Sequence, residues 1–197
     1  MNNSTLIIVR GLPGSGKSYL ADRLSQKFTD SEVVLLDPDA TDYQSLDYAR
    51  HVQQQLRDGV AAPLHAYRFL RSQAYDGIAN GKTIIWNQPF TNLEIFNKMV
   101  TNLRAEADLH NTKLIILVVE VVIDPDVAKQ RVEQRIVSGG HGPSDATFDR
   151  FVTDYRSFAD AGYNTITIPG NDDIDQSVMA VLSSLRTTLD EQTTSSA

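Results

Sequence analysis

A chain of 197 residues with 41% hydrophobic and 22% charged side chains has the make-up of one globular domain and is short for two, which excludes disordered and fibrous classes. Its formal charge of −7 at pH 7 opposes non-specific attraction to nucleic acid or anionic membranes, although a local basic cleft can still hold phosphate. The absence of cysteine excludes thiolate metal sites and cysteine nucleophiles and fits a reducing, cytoplasmic setting. The longest apolar run, residues 114–123, is broken by Glu120, so no membrane partner is expected.

In chain order, residues 5–9 form a β-branched apolar strand that runs into the glycine-rich segment 11–18, and a helix is predicted over 17–28. A second strand, 33–36, closes on Asp37-Pro38-Asp39, where proline ends pairing and aspartate favours a turn. Helical stretches at 43–57 and 64–79, parted by Gly59 and Pro63, read as a helical hairpin. A strand at 82–86 ends in Asn87-Gln88-Pro89, followed by a helix over 92–110 and a strand over 114–123. Pro125 opens a helix that continues through Arg135 until Gly139-Gly140 stops it. After the polar loop 138–144 come a helix over 145–161, a strand at 165–168 and a helix over 174–189. This alternation predicts an α/β fold with a five-stranded parallel sheet flanked by helices on both faces; the glycine-rich segment 11–18 makes the expected type a P-loop NTPase, and Arg131 and Arg135 before Gly139-Gly140 suit a helical lid. One domain spans 1–191, and 192–197 is expected to be a disordered tail.

Gly11-Leu12-Pro13-Gly14-Ser15-Gly16-Lys17-Ser18 matches G-x-x-x-x-G-K-[ST] between a strand and a helix. Glycines let backbone N–H groups approach phosphate oxygens, and the helix N-terminus adds a positive dipole. The nucleotide-binding set is therefore Gly11, Pro13, Gly14, Ser15, Gly16, Lys17 and Ser18, with Lys17 reaching the β- and γ-phosphates of ATP and Ser18 ligating Mg²⁺. Asp37 and Asp39 suit phosphoryl transfer, where a carboxylate takes the acceptor's proton or helps hold Mg²⁺; as turn acids they would instead cap a helix near Thr41. Arg131 and Arg135, four apart on one helix before a glycine-rich loop, suit a lid that engages phosphate. They equally suit a solvated charged face.

These features together resemble the P-loop kinases of the zeta-toxin and polynucleotide 5′-kinase type. The likeness rests on the segment 11–18, Leu35-Leu36-Asp37-Pro38-Asp39, Arg131-Val132-Glu133-Gln134-Arg135 and Gly139-Gly140-His141-Gly142-Pro143. The resemblance implies that Asp39 is the general base and that Arg131 and Arg135 act on ATP phosphates; with Lys17 catalytic from the P-loop pattern, Asp37 is left to join Ser18 at the metal. His141 is a further candidate from the same element. The third strand departs from the zeta-type Glu-Gly-Thr, carrying Trp86-Asn87-Gln88 instead. Asn87 and Gln88 are open to binding an acceptor or to forming a plain turn, Trp86 and Phe90 to stacking or to core packing, and Arg68 and Arg71 to holding an acidic acceptor or lying on the helix surface.

The expectation is an ATP- and Mg²⁺-dependent phosphotransferase acting on a small hydroxyl-bearing acceptor of sugar, nucleoside or nucleotide-sugar type. The alternatives are a kinase of polynucleotide 5′-hydroxyls, disfavoured by the acidic charge, and a non-catalytic ATP-binding module with an antitoxin-like protein partner.

Overall fold

The computed structural model describes residues 2–194. Strands β1 (Asn2–Gly11), β2 (Val33–Leu36), β3 (Thr83–Asn87), β4 (Thr112–Val122) and β5 (Thr165–Pro169) form one sheet in the order β2-β3-β1-β4-β5. All adjacent pairs are parallel, so the five-stranded parallel α/β fold read from the alternation of elements is the one observed. Between the strands run α1 (Lys17–Ser25), α2 (Leu46–Arg57), α3 (His65–Ala79), α4 (Leu93–Leu109), α5 (Pro125–Val137) and α6 (Asp145–Asp154), and α7 (Ile174–Thr194) follows β5.

The period-2 alternation of side chains divides the strand residues between two cores. Leu6, Ile8, Ile84, Trp86, Ile116 and Val118 pack on one face with residues of α3 and α4. Ile7, Val9, Ile85, Leu117, Val119 and Val121 pack on the other with residues of α1 and α7. From β1 the chain passes to β2 on one side, whereas from β3 it crosses to β4 on the other, leaving a crevice at the carboxyl ends of β1 and β3. Over that crevice α5 and α6 form the lid, seated on a third cluster in which Leu12 of the glycine-rich loop meets Ala128, Val132 and Phe148. Lys129 of α5 also reaches Asp145 and Asp149 of α6 at 3.9 and 3.7 Å.

The elements depart from the sequence reading at their ends. The first hairpin helix starts at Leu46, because the Ser45 hydroxyl caps it by accepting the Tyr48 N–H at 3.2 Å. α7 continues to Thr194, so the tail expected from 192 begins inside a helix; residues 195–197 of that tail lie outside the described residues. The helix expected over 145–161 stops at Asp154. Its continuation is captured by Glu120 of β4, which accepts the Phe158 N–H and the Ser157 hydroxyl, each at 2.7 Å. A charged hydrogen bond to a buried carboxylate outweighs the modest preference of that segment for helix.

Glu120 is itself held by Arg10, its register neighbour on β1, and both are buried. The Arg10 guanidinium donates to Glu120, to the Arg156 carbonyl at 2.8 Å and to the Phe90 carbonyl at 3.0 Å. It lies 4.2 Å from the Tyr155 ring centroid and 3.7 Å from that of Phe158, so cation–π attraction replaces part of its lost hydration. The same burial pushes the Tyr155 phenol up to about 12. Removing one member of a buried pair strands the other. Glu120→Leu is expected to cost about 3–5 kcal/mol in urea unfolding, and a variant within 1 kcal/mol of wild type would show that Glu120 is not needed to hold the cation.

Candidate nucleotide and acceptor site

The glycine-rich loop joins β1 to α1 in a form that demands glycine at two points. Gly14 has φ 84°, and a Cβ there would stand 2.2 Å from the Ala128 carbonyl oxygen of α5. Gly16, at φ 96°, is the N-cap of α1, and no side chain caps that helix. The first N–H groups of α1 are thereby left for an external anion, where the helix dipole favours negative charge. The Ser15 hydroxyl is buried without a protein partner. Lys17 begins α1; burial holds its ammonium below the usual lysine value, an effect opposed by Asp39 and Asp37 and reinforced by Arg135. A partly desolvated lysine facing acids is primed to accept phosphate charge.

Lys17, Ser18, Asp37, Asp39, Arg135 and His141 all line one cleft of about 310 Å³. The aspartates differ in their surroundings. Asp37 is anchored: one carboxylate oxygen accepts the Asp39 N–H at 2.9 Å and the other accepts the Asn87 side-chain amide at 2.6 Å. The same Asn87 nitrogen donates to the Ser18 hydroxyl at 2.9 Å. Ser18 and Asp37 therefore converge on one point, and a hydroxyl with a carboxylate is the hard-oxygen set that Mg²⁺ takes. Asp39 is exposed, 66% of its side chain being accessible, and lies 3.7 Å from the His141 imidazole of the lid loop. Its turn is set by Asp37, not by any helix it caps.

The two lid arginines, four residues apart, do not do the same thing. Arg135 lines the cleft. Arg131 turns back, donating to the Gly170 carbonyl at 2.9 Å and to the Gly14 carbonyl at 3.5 Å, and so ties the P-loop to the segment after β5. The hairpin arginines likewise have protein partners: Arg68 donates to Gln55 at 3.1 Å, and Arg71 lies 5.7 Å from the ring centroids of both Tyr67 and Tyr75.

Of the readings open for the third strand, Trp86 is core, fully buried with its indole N–H donated to Gln88 at 3.2 Å. Asn87 faces the nucleotide end of the cleft, and its amide oxygen is buried without a partner. Phe90 adopts φ 45°, a left-handed backbone that costs about 1–3 kcal/mol in a residue of this kind. The donated hydrogen bond from Arg10 to its carbonyl holds it there. Sequence reasoning missed Arg10 and Glu120, for which the available signal was a cation and an anion inside otherwise apolar strands. It also missed an apolar pocket beside the cleft, because its walls come from α3, α4, α6 and the segment after β3.

A search of curated proteins with this sequence finds no match. Among solved structures, the chain is similar to a candidate kinase of Chloroflexus aurantiacus J-10-fl, with TM-score 0.63 and 20% identity over 95% of this chain and 99% of that one. It is similar also to a gluconokinase of Sinorhizobium meliloti 1021, with TM-score 0.60 and 13% identity over 100% and 98% of the two chains. A deoxyadenosine kinase of M. mycoides with bound dATP matches with TM-score 0.53 and 16% identity over 92% and 99%. At these identities the likeness is one of fold, and the shared fold is that of P-loop kinases. The family model described as an AAA domain, AAA_33, matches residues 6–158, a span that runs from the strand before the P-loop to the segment captured by Glu120. The chain belongs to the AAA_33 family.

Proposed function

We propose that this chain is an ATP-dependent phosphotransferase that moves the γ-phosphoryl group to the hydroxyl of a small molecule. The observation that carries the reading is that Asp39, an accessible carboxylate, shares one cleft with Lys17, Ser18 and Arg135. The uncapped start of α1 and the ammonium of Lys17 hold the β- and γ-phosphates, and the fold common to the kinases named above supports nucleotide binding. Ser18 and Asp37 are the residues that would hold Mg²⁺, which when bound would draw charge from the phosphate oxygens.

Asp39 accepts the proton of the acceptor hydroxyl. The hydroxyl oxygen forms a bond to the γ-phosphorus while the bond from phosphorus to the β–γ bridging oxygen breaks, and that oxygen leaves with its electron pair on ADP. Arg135 faces the charge spread over the transferring group, and Arg131, which donates to the Gly170 and Gly14 carbonyls, positions the P-loop. His141 aligns Asp39 from the lid side. The named neighbours include a gluconokinase and a deoxyadenosine kinase, so they leave the choice of acceptor to the residues of this chain.

Two outcomes test the donor side and the base. Lys17→Met is expected to abolish measurable ATP binding by calorimetry while the nucleotide-free Tm stays equal or rises, because burial disfavours the charged ammonium that the substitution removes. ATP affinity equal to wild type in this variant would remove the P-loop from the reading. Asp39→Asn is expected to lower transfer about 10²–10⁴-fold with ATP affinity nearly unchanged, measured by coupled ADP release. Full turnover in that variant would retire Asp39 as base.

A further inference from the structure

Resting on the phosphotransferase reading, we infer that the acceptor is an uncharged alcohol carrying a planar ring, of the nucleoside class, and that its ring occupies the apolar pocket beside the phosphate cleft. The pocket encloses about 450 Å³, within the range that holds small-molecule ligands. Leu64, Tyr67, Phe90, Ile95, Met99 and Phe151 give it apolar walls. It is continuous with the cleft: Gln88, Pro89 and Phe151 line both. A molecule seated in the pocket would thus reach the cleft that contains Asp39 across the Gln88-Pro89 segment.

The chemistry of the walls selects among hydroxyl-bearing molecules. Among the described residues, no charged side chain lines the pocket. A carboxylate- or phosphate-bearing sugar would be stripped of water with no cation to meet it, and a polyol would leave most of its hydroxyls without partners. A planar ring instead meets the aromatic side chains of Tyr67, Phe90 and Phe151, at offset or edge-on approaches that such rings favour. Gln88 and Thr91 supply polar edges for a heterocycle. The oxygen of the Gln88 amide is engaged by Trp86, which fixes the amide and turns its nitrogen into the available donor. The floor is pre-shaped: Phe90 is held at φ 45° with its carbonyl bonded to Arg10, and its ring packs against Trp86 and Phe96 at 5.9 and 5.3 Å between centroids.

The single tryptophan of the chain provides a readout that does not depend on turnover, since Trp86 lies 6.3 Å from Tyr67 and 5.9 Å from Phe90 between ring centroids. The experiment uses full-length protein held saturated with Mg²⁺ and ADP, so that a nucleoside cannot occupy the ATP cradle. Adenosine, thymidine, D-glucose and D-gluconate are titrated by calorimetry and by Trp86 fluorescence, and then offered as acceptors with ATP. The expected result is saturable binding of at least one nucleoside and none of the polyols. Ile95→Arg, at a side chain 60% exposed and so tolerated by the fold, is expected to weaken nucleoside binding about tenfold or more without changing ADP affinity. Tyr67→Leu, which keeps bulk but removes the ring, should weaken it in the same direction.

Tighter binding of glucose or gluconate than of either nucleoside, failure of both nucleosides to saturate, or nucleoside binding indifferent to Ile95→Arg overturns the inference. The two readings fail differently. Nucleoside binding that Ile95→Arg weakens, with no phosphoryl transfer, overturns the phosphotransferase and leaves the pocket; transfer to a polyol that survives Ile95→Arg overturns the pocket and leaves the phosphotransferase.

Discussion

The buried guanidinium of Arg10 is the constraint on which the working end of this molecule depends. It occupies the last position of β1 before Gly11, so whatever it holds is held in register with the P-loop. Its partners are Glu120 on β4, the Phe90 carbonyl beyond β3, and the Arg156 carbonyl where the chain leaves the lid. The P-loop strand, the segment after β3 and the exit from α6 thus meet at one cation. Such a pair adds little net stability compared with an apolar replacement of the same shape. What it does supply is direction. Two segments outside the sheet, at Phe90 and at Arg156, are fixed relative to the paired strands β1 and β4, and the strained Phe90 backbone is held by a charged donor in place of a sheet partner.

The donor side was legible in the sequence because each of its residues answers a separate local demand. Gly14 and Gly16 take backbone angles that side chains resist, Lys17 and Ser18 follow at the start of a helix, and Pro38 sets the turn that presents Asp37 and Asp39. Those demands are met within a few residues of chain. The end of α6 was not legible, because residues 155–161 favour helix by local preference and are overruled by Glu120, 38 positions away from Phe158. The roles of Arg131 and Arg135 could not be parted for the same reason. Helical spacing places both toward the cleft, and only the carbonyl of Gly170, 39 positions from Arg131, decides that one folds back while the other stays in the cleft.

Asn87, open in the sequence to contacting an acceptor, is engaged in the structure by the P-loop serine and by Asp37. At the carboxyl end of β3 it sits beside Val9 of β1, one short step from the P-loop, and its amide reaches Ser18 and Asp37 together. A neutral amide there orients the hydroxyl and carboxylate without adding a charge. The cleft already contains Asp37 and Asp39 facing Lys17, and a further carboxylate at this position would stand against both and raise the cost of binding a polyanionic nucleotide. The amide preserves the alignment while avoiding that repulsion.

The neighbouring residue completes the division of labour. Gln88 is tied to the buried indole of Trp86 and borders both the phosphate cleft and the apolar pocket, whereas Asn87 lines only the cleft. Successive side chains of an extended strand point to opposite sides, and at a sheet's topological switch point this sets the Asn87 amide toward Ser18 and Asp37 while the Gln88 amide stays with Trp86. The rigidity of β3, buried on both faces, fixes the relation between cleft and pocket. Beyond β3, the loop between α5 and α6 carries His141 within 3.7 Å of Asp39, and the base of α5 is seated on Leu12 of the P-loop. α5 is thus anchored at the P-loop end, and the chain turns from it toward α6 through Gly139, at φ 86°, an angle that side chains resist.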